Sequence, residues 1–290
     1  MSFTYKDLVL EFKETLKNVS SIPEREIEIL IEFLTKKDRI YFIKNPDEKI
    51  PDELVSKLSS FIKKREKGYP LEYTTHNKEF YGLNFYVDRS VLIPRPETEM
   101  LVEEAYNFLK FKSDFSLLDL GTGSGCIAIA LANLFKYSEA KFKVVAVDKS
   151  FSAIKIARRN ATNNKVKSQI QFKESDWFEN INEKFDCIVS NPPYVKGTDK
   201  KNFPNLTHEP AEAIYSKEDG LADIKFLLTN VSSFLNDGGI FLCEFGYNQK
   251  EEIEKFLKEN TNFKNYEFIN DLAKLPRVLK VFKESDGKFS

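Results

Sequence analysis

Residues 117–125 read Leu-Leu-Asp-Leu-Gly-Thr-Gly-Ser-Gly, an apolar run that ends in a loop with glycine at every second position. Cys-Ile-Ala follows at residues 126–128 and begins a helical pattern. Glycines between a strand and a helix let a ligand approach the backbone where a Cβ atom would clash. The stretch therefore predicts a strand, a ligand-binding loop and a helix, which together open an α/β sheet domain.

Three classes of ligand-binding loop share this layout, and the residues around the glycines separate them. A phosphate-binding P-loop requires Gly-Lys followed by Ser or Thr, but Gly125 is followed by Cys126. The dinucleotide fingerprint requires a third glycine three residues after the second, and counting from Gly123 also reaches Cys126. The remaining spacing, G-x-G-x-G, carries no cation for a phosphate and favours a ligand without one.

Strand-like and helix-like patterns alternate from Phe115 onwards, which predicts a doubly wound, mostly parallel sheet. Strands are predicted at residues 116–120, 142–148, 169–173, 185–190, 239–245, 265–270 and 277–282. Helices are expected in the gaps, for example at 152–163 and 223–234. The last two strands leave little room for a helix between them, so they are expected to pair as a hairpin.

The first 75 residues carry a different pattern, in which apolar residues recur at spacings of three and four and predict a helical bundle. Ser21 with Glu24 forms an S-x-x-E helix-start signal, and Pro51 suits the first turn of another helix. A basic cluster at residues 63–67 is expected to be a solvated helix end. Aromatic and β-branched residues around Gly82 then predict a hairpin.

Three parts are therefore predicted: a helical bundle at residues 1–75, a β-hairpin connector at 76–94 and an α/β domain at 95–290. The net charge of -1 and the pI near 6.3 argue against a general nucleic-acid binder. The sequence has no apolar run long enough to cross a membrane, and its start lacks the apolar stretch of a signal peptide. A cytoplasmic protein is therefore expected.

No metal site is expected from this sequence. Cys126, Cys187 and Cys243 lie far apart in apolar runs and lack metal-ligand spacing, which predicts buried, reduced thiols. The two histidines, His76 and His208, have no metal-like partners nearby in the sequence.

Candidate ligand-binding residues follow the strands after the glycine loop. Asp148 ends the second predicted strand, where a carboxylate can accept hydrogen bonds from both hydroxyls of a ribose. Asp176 and Trp177 follow the third strand, where the carboxylate could hold an adenine amino group and the indole could stack on the ring. Together with the glycine loop, these residues resemble the cofactor site of the class I S-adenosylmethionine-dependent methyltransferases.

The fourth predicted strand runs into Asn191-Pro192-Pro193-Tyr194, at the strand end where ligands bind. An amide or aromatic NH₂ is a poor nucleophile because its lone pair is delocalised. The Asn191 side-chain oxygen and the Pro192 carbonyl can each accept one of its protons, and Tyr194 can stack on the planar group. The two prolines stiffen the loop, so positioning would supply much of the rate. The target is thereby narrowed to a planar NH₂ of adenine, guanine, cytosine or glutamine.

The chain as a whole resembles the release factor glutamine methyltransferases of bacteria, the HemK or PrmC family. The resemblance covers nearly the whole chain and includes the helical bundle, the glycine loop, Asp148 and the motif at 191–194. Its most family-specific piece is Leu-Ile-Pro-Arg-Pro-Glu-Thr-Glu at residues 92–99. It continues through Glu-Pro at 209–210 and Asp-Gly-Leu at 219–221.

The resemblance implies a Rossmann-like class I methyltransferase domain with an N-terminal helical bundle and a β-hairpin connector. The implied reaction methylates the glutamine amide in the Gly-Gly-Gln motif of class-1 peptide chain release factors, with S-adenosyl-L-methionine as cofactor and S-adenosyl-L-homocysteine as product. The bundle would dock the release factor, with no membrane and no direct nucleic acid required.

The resemblance also implies roles for individual residues. Cofactor contacts would come from Gly121, Thr122, Gly123, Ser124, Gly125, Asp148, Asp176, Trp177 and Asn191. The target glutamine would be held by Asn191, Pro192, Pro193 and Tyr194. Of these four, the catalytic residues would be Asn191, Pro192 and Tyr194.

Two positions depart from the family pattern, and two other functions stay open. His76-Asn77-Lys78 and Lys274 stand where glycine is usual, outside the implied chemistry. The runner-up function is a nucleic-acid amino methyltransferase acting on adenine or guanine, which would share the chemistry but fits the acidic pI poorly. The third is a catalytically idle docking module for the translation machinery, against which the intact Asn-Pro-Pro-Tyr motif argues.

Overall fold

The structure of the protein is a computed structural model that describes residues 3–201 and 204–284. The chain divides between His76 and Asn77 into two compact units, each with its own hydrophobic core. In the described part of the chain, no helix is long and apolar enough to cross a membrane.

The N-terminal unit is helical, as its apolar spacing predicts. Its helices are α1 (Tyr5–Leu16), α2 (Pro23–Thr35), α3 (Arg39–Lys44), α4 (Asp52–Glu66) and α5 (Leu71–Thr75). Their apolar faces meet in one core that includes Leu8, Leu16, Ile27, Leu30 and Leu58. Burial of each such side chain contributes roughly 1.5–3 kcal/mol, so this core holds the helices together.

The helix-start signal at Ser21 lies within two residues of the start of α2, but the capping role that it implies for Ser21 is wrong. Helix α2 begins at Pro23, its N-cap is Ile22, and no side chain caps it. Proline at the first helical position has a preset φ and no N–H to satisfy, so the helix begins there without a serine cap. A capping box forms instead at α1, where Thr4 and Asp7 each accept a hydrogen bond from the other's backbone N–H.

The basic cluster near the end of α4 is only partly solvated. Arg65 donates two hydrogen bonds to the Glu26 carboxylate, at 2.7 and 3.0 Å, and one to the Val19 carbonyl at 2.9 Å. Neither charged side chain is more than 14% exposed. The expectation of a solvated helix end is therefore wrong for Arg65, although Lys63 is exposed. At the other end of α4, Pro51 is the N-cap and not part of the first turn.

The C-terminal unit opens with the predicted hairpin around Gly82. Strands β1 (Lys78–Phe80) and β2 (Leu83–Phe85) pair antiparallel. The segment at residues 92–99 then passes through a 3₁₀ turn at Pro96–Thr98 into α6 (Glu99–Leu109).

Further strands and α-helices follow in the rest of the described chain. They are β3 (Asp114–Leu120), α7 (Cys126–Phe135), β4 (Lys141–Asp148), α8 (Phe151–Asn163), β5 (Ile170–Glu174), β6 (Phe185–Ser190), β7 (Val195–Lys196), β8 (Tyr215–Ser216), α9 (Lys217–Gly220), α10 (Ala222–Asn230), β9 (Leu235–Glu244), α11 (Lys250–Asn260), β10 (Asn265–Asn270) and β11 (Pro276–Phe282). Strands and α-helices alternate from β3 to β5, and no α-helix fills the predicted gap between β5 and β6 in the described chain. The remaining elements follow in a mixed order. The strands predicted from sequence are all present. Strand β9 begins earlier than predicted, at Leu235, and the helix predicted at 223–234 becomes 3₁₀ from Val231.

One sheet has the strand order β10-β11-β9-β6-β3-β4-β5. Strand β3 pairs in parallel with β4 and β6, while β5 and β9 extend the parallel part on either side. Strand β11 runs antiparallel to β9 and β10, so the last two strands form the expected hairpin. The predicted fold class, a Rossmann-like α/β domain with N-terminal helices, is confirmed.

Side chains of β3, the middle strand of the five parallel ones, alternate between the two faces of the sheet. Leu117 packs into a core with α6, α7 and α8, whereas Leu118 and Leu120 pack with α10 and α11. Parallel strands covered on both faces are apolar almost throughout, which explains the sequence of β3. The three cysteines of this unit are buried thiols as expected, and burial raises their pKa, to about 12 for Cys126.

Candidate active site

The candidate site forms at the carboxyl ends of β3 and β6, where the strand order reverses. Leu120 pairs with Ser190, and the Ser190 hydroxyl donates a hydrogen bond to the Leu120 carbonyl at 2.9 Å. The next residues, Gly121 and Asn191, therefore leave the sheet side by side. Parallel α/β sheets bind ligands at this position.

The glycine loop turns tightly from β3 into α7. The backbone N–H of Thr122 donates to the Val147 carbonyl, and that of Gly125 to the Thr122 carbonyl, both at 2.8 Å. Gly125 has a φ of +84°, and a Cβ atom there would lie 2.8 Å from Ile129 Cδ1 and 3.1 Å from Ala157 Cβ. Glycine is required here both for the backbone conformation and for the close approach of α8.

Asp119 is a buried acid within β3 that the sequence reasoning did not assign to the site. Its Oδ2 accepts the Thr122 hydroxyl at 2.6 Å and the Ala128 backbone N–H at 3.2 Å. Its Oδ1 is buried with no hydrogen-bond partner among the described residues. Burial raises the pKa of Asp119 to about 7, although its two hydrogen bonds oppose the rise. The sequence signal that could have assigned Asp119 to the site is an acidic residue within an otherwise apolar stretch of a strand.

Asp148 joins the end of β4 to the glycine loop through both of its carboxylate oxygens. Oδ2 accepts the Gly123 N–H at 2.9 Å, and Oδ1 accepts the Ser150 N–H at 2.8 Å. Burial raises the pKa of Asp148, and these two hydrogen bonds oppose that rise. A carboxylate offers about four lone-pair sites, so each oxygen retains capacity for a hydroxyl of a ligand.

Trp177 lies against the glycine loop in a strained backbone conformation. Its φ is +47°, and the Ser175 hydroxyl donates to its carbonyl at 2.9 Å. A Cβ atom on Gly121 would lie 3.4 Å from Cζ3 of the indole, so the ring lies close to the first glycine. Left-handed backbone at a bulky residue costs roughly 1–3 kcal/mol and is concentrated at functional sites.

One cavity brings most of the predicted site residues together. The predicted residues that line it are Gly121, Gly123, Asp148, Asp176, Trp177, Asn191 and Pro193. The predicted residues that do not line it are Thr122, Ser124, Gly125, Pro192 and Tyr194. The other lining residues were not assigned to the site from the sequence. They are Ser90, Val91, Leu92, Lys149, Ser150, Ala153, Ser175, Pro210, Glu212 and Ala213.

Asn191 is held by a chain of hydrogen bonds that reaches a buried acid. Its Nδ2 donates to Thr98 Oγ1 at 3.0 Å, and the Thr98 hydroxyl donates to Glu244 Oε2 at 2.6 Å. The Tyr194 hydroxyl donates to Oε1 of the same acid at 2.9 Å. Burial raises the pKa of both Glu244 and Tyr194. The sequence reasoning missed Glu244, although a charge at the end of the apolar strand β9 could have signalled it.

The Asn-Pro-Pro-Tyr loop rests on a close backbone contact. Gly220 has a φ of +89°, and a Cβ atom there would lie 2.2 Å from the Tyr194 carbonyl oxygen. The same oxygen accepts a hydrogen bond from Gln249 Nε2 at 3.0 Å, at the start of α11. The loop is therefore fixed from two sides by groups that leave little room for adjustment.

An ion pair between a partly exposed arginine and a buried acid fixes the segment that precedes α6. The Glu209 carboxylate accepts hydrogen bonds from the Arg95 guanidinium and from the Ile93 backbone N–H, the latter at 2.9 Å. The next residue, Pro210, lines the cavity, as does Leu92. This pair therefore connects two walls of the cavity that are far apart in the sequence.

The chain matches two family models, the PrmC N-terminal domain over residues 7–75 and the methyltransferase small domain over residues 98–214. The release factor glutamine methyltransferase of Buchnera aphidicola subsp. Schizaphis graminum is 39% identical, over 87% of this chain and 90% of that protein. The Coxiella burnetii protein of the same name is 35% identical, over 94% of this chain and 97% of that protein. The chain belongs to the release factor glutamine methyltransferase family.

Membership in the release factor glutamine methyltransferase family confirms the resemblance inferred from sequence and makes the chain a methyltransferase enzyme. The fold is shared more widely. The T. thermophilus 16S rRNA methyltransferase RsmC, in complex with AdoMet and guanosine, has a TM-score of 0.51 and 20% identity, over 72% of this chain and 50% of that one. At that identity the likeness concerns the fold alone.

In this member of the release factor glutamine methyltransferase family, Gly220→Ala is expected to destabilise the fold more than Gly238→Ala. Both glycines have positive φ, +89° and +72°, so both variants share a backbone cost of about 1–2 kcal/mol. A Cβ atom at Gly238 has nothing within 4 Å, whereas one at Gly220 collides with the Tyr194 backbone. The collision should remove a further 1–3 kcal/mol or so from the free energy of unfolding, measured by urea titration. Equal losses would contradict the tight contact.

Proposed function

We propose that this enzyme transfers a methyl group from S-adenosyl-L-methionine to the glutamine amide nitrogen in the Gly-Gly-Gln motif of class-1 peptide chain release factors. The setting of Asn191 carries the proposal. Its NH₂ donates a hydrogen bond to Thr98, and its oxygen accepts none from the described residues. Asn191 lines the same cavity as Asp148 and Trp177. The two relatives compared above have this activity in their names. Because class-1 release factors act in the cytoplasm, we propose that location for the enzyme.

The residues around the cavity fit S-adenosyl-L-methionine as the methyl donor. Asp148 keeps lone pairs for ribose hydroxyls, and Trp177 offers an aromatic face for adenine beside the exposed carboxylate of Asp176. The backbone of Gly121 and Gly123 lines the same space, and the glycine loop itself carries no cation that would call for a phosphate. Lys149 also lines the cavity, and its ammonium lies 3.9 Å from the Glu212 carboxylate. When bound, this cofactor supplies the methyl group of its sulfonium and is released as S-adenosyl-L-homocysteine.

The Asn-Pro-Pro-Tyr loop would orient a nitrogen that is a weak nucleophile. The Asn191 oxygen and the Pro192 carbonyl would each accept one proton of the target NH₂, which holds the nitrogen in place. Pro192 and Pro193 lack backbone N–H groups and have fixed φ angles, so the loop stays rigid. Tyr194 would pack beside the planar amide with its hydroxyl held by Glu244. The proton can leave after methyl transfer, so positioning rather than a general base would supply the rate.

Methyl transfer to different acceptors tests the proposal. The enzyme is given labelled S-adenosyl-L-methionine and a class-1 release factor, the same factor with Glu in place of the motif Gln, RNA, or DNA. Label in the Gln factor alone supports the proposal, because the Glu carboxylate has no NH₂. Label in RNA or DNA alone would instead support the nucleic-acid amino methyltransferase, and no label in any acceptor would support the idle docking module.

Asp148→Ala is expected to weaken S-adenosyl-L-methionine binding by roughly 10- to 150-fold, because hydrogen bonds to a charged acceptor contribute roughly 1.5–3 kcal/mol. Calorimetry with the free enzyme measures the change. Glu174→Ala is the matched control, since Glu174 ends the adjacent strand in register with Asp148 but does not line the cavity. Similar affinities for both variants would remove the ribose-binding role from Asp148.

Asn191→Ala is expected to lower kcat by about 10²–10³, the usual loss when a preorganised hydrogen bond to a transition state is removed. Asn191→Asp should rescue only partly, because its negative charge favours the cationic ground state of the methyl donor. Single-turnover rates at saturating cofactor separate this loss from weaker cofactor binding. A near wild-type rate in Asn191→Ala would reduce the loop to a rigid turn.

We further propose that residues 1–75 dock the release factor, since every residue assigned to the cavity lies beyond them. A chain beginning at Asn77 should bind S-adenosyl-L-methionine and methylate a short Gly-Gly-Gln peptide as well as the full chain does. Its kcat/KM on the intact release factor should fall at least tenfold, since docking contacts contribute over about 1.4 kcal/mol. Equal kcat/KM values on the intact factor would contradict the docking role.

A further inference from the structure

We propose that Glu244 is a positioning residue that sets the direction of the Asn191 side-chain amide through Thr98, and so selects a target that carries an NH₂ group. The inference deepens the proposed function and rests on it for the identity of the target. The structural observation behind this inference is the hydrogen bond between Thr98 and Glu244, which lie 146 residues apart in the sequence.

Glu244 is placed to act as a pure acceptor. It is the last residue of β9 and is completely buried. Thr98 and Tyr194 donate their hydroxyls to its two oxygens, at 2.6 and 2.9 Å. The shorter distance lies in the range of hydrogen bonds to an ionised carboxylate, roughly 2.5–2.7 Å. The charge of Arg277 also favours the ionised form, against the burial that raises the pKa of Glu244.

An ionised carboxylate fixes the direction of every hydrogen bond that leads from it. The Thr98 hydroxyl has one proton, and that proton is donated to Glu244. Towards Asn191, Thr98 can therefore offer only a lone pair, which must receive a proton of the Asn191 NH₂ at 3.0 Å. The Asn191 oxygen is therefore at the other end of the amide, away from Thr98, and Asn191 lines the cavity.

This direction determines which chemical groups the cavity accepts. The oxygen and the NH₂ of an asparagine have nearly the same shape, so packing alone does not choose between them. With its oxygen free, Asn191 accepts a proton from an NH₂ and repels a carboxylate. With the amide turned over, it would present a donor and favour a carbonyl or carboxylate oxygen instead. The buried acid therefore makes the site selective for an amide over an acid.

The same carboxylate also holds the far end of the loop. Tyr194 reaches Glu244 directly, whereas Asn191 reaches it through Thr98. One acid thus positions the first and last residues of the Asn-Pro-Pro-Tyr motif without itself lining the cavity.

Side-chain amide NMR tests the direction of Asn191 without any methyl acceptor. The ¹⁵N–H₂ signals of Asn191 are assigned by their loss in Asn191→Asp. Thr98→Val and Glu244→Met should each shift them strongly, since both remove the relay, while Thr98→Ser should keep the wild-type shifts. Glu97→Gln is the matched control, because it removes an exposed negative charge next to Thr98 but lies outside the relay.

Kinetics on the release factor test the consequence. Thr98→Val should lower kcat by about 10- to 100-fold through misplacement of the target nitrogen, with S-adenosyl-L-methionine affinity within about threefold of wild type. Thr98→Ser should recover most of that loss. In an Asn191→Ala background, Thr98→Val should have almost no further effect on kcat, because its effect passes through Asn191. A merely structural role would give additive losses and no selective rescue.

The outcomes separate the two proposals. Unchanged Asn191 signals in both Thr98→Val and Glu244→Met would overturn the relay, whatever the acceptor. Additive losses in the Asn191→Ala background would overturn it as well. Shifted signals in an enzyme that leaves the release factor unmethylated would support the relay and reject the proposed function.

Discussion

The parallel pairing of Leu120 with Ser190 brings together two loops whose strands lie 70 residues apart in the sequence. The glycine loop leaves one strand and the Asn-Pro-Pro-Tyr loop leaves the next, so the ligand-binding and target-orienting groups share one edge of the sheet. Both strands pack into hydrophobic cores on both faces of the sheet, and this close packing resists a shift of one strand along the other. The loops inherit that rigidity, and the chemistry proposed for them depends on positioning and not on a reactive side chain.

The sequence reveals much of this arrangement because the decisive signals are local. Apolar runs of strand length, punctuated by glycine, predict β3 and the turn after it, and the alternation with helices predicts a parallel sheet. In a parallel sheet the carboxyl ends of the strands lie at one edge, so each residue that follows a strand there is a candidate ligand-binding residue. Asp148 and Asn191 are found by that rule alone, and both line the same cavity. Trp177 is found by it as well, although nothing local predicts its strained backbone.

The groups that hold these residues in place are hidden from sequence reasoning because they act across long separations. Arg95 and Glu209 are 114 residues apart, and neither belongs to a periodic pattern that would point to the other. Local signals can also compete, as at α2, where the proline at residue 23 prevails over a serine two positions earlier. Likewise the sequence around Arg65 predicts a solvated basic cluster. In the structure Arg65 is mostly buried and pairs with Glu26, which lies on another helix.

Stability alone does not explain a fully buried carboxylate at residue 244, since replacing a buried charged group together with its partners by apolar side chains of similar volume is often neutral or stabilising. Two hydroxyl donors and the nearby charge of Arg277 offset part of the desolvation cost. Stability alone would be served as well by apolar side chains in place of the acid and both of its hydroxyl donors. An apolar residue, however, leaves the Thr98 proton free to point either way, and a neutral amide could itself turn over. Only an acceptor without protons imposes one direction on the hydroxyl and, through it, on an asparagine whose two ends have the same shape.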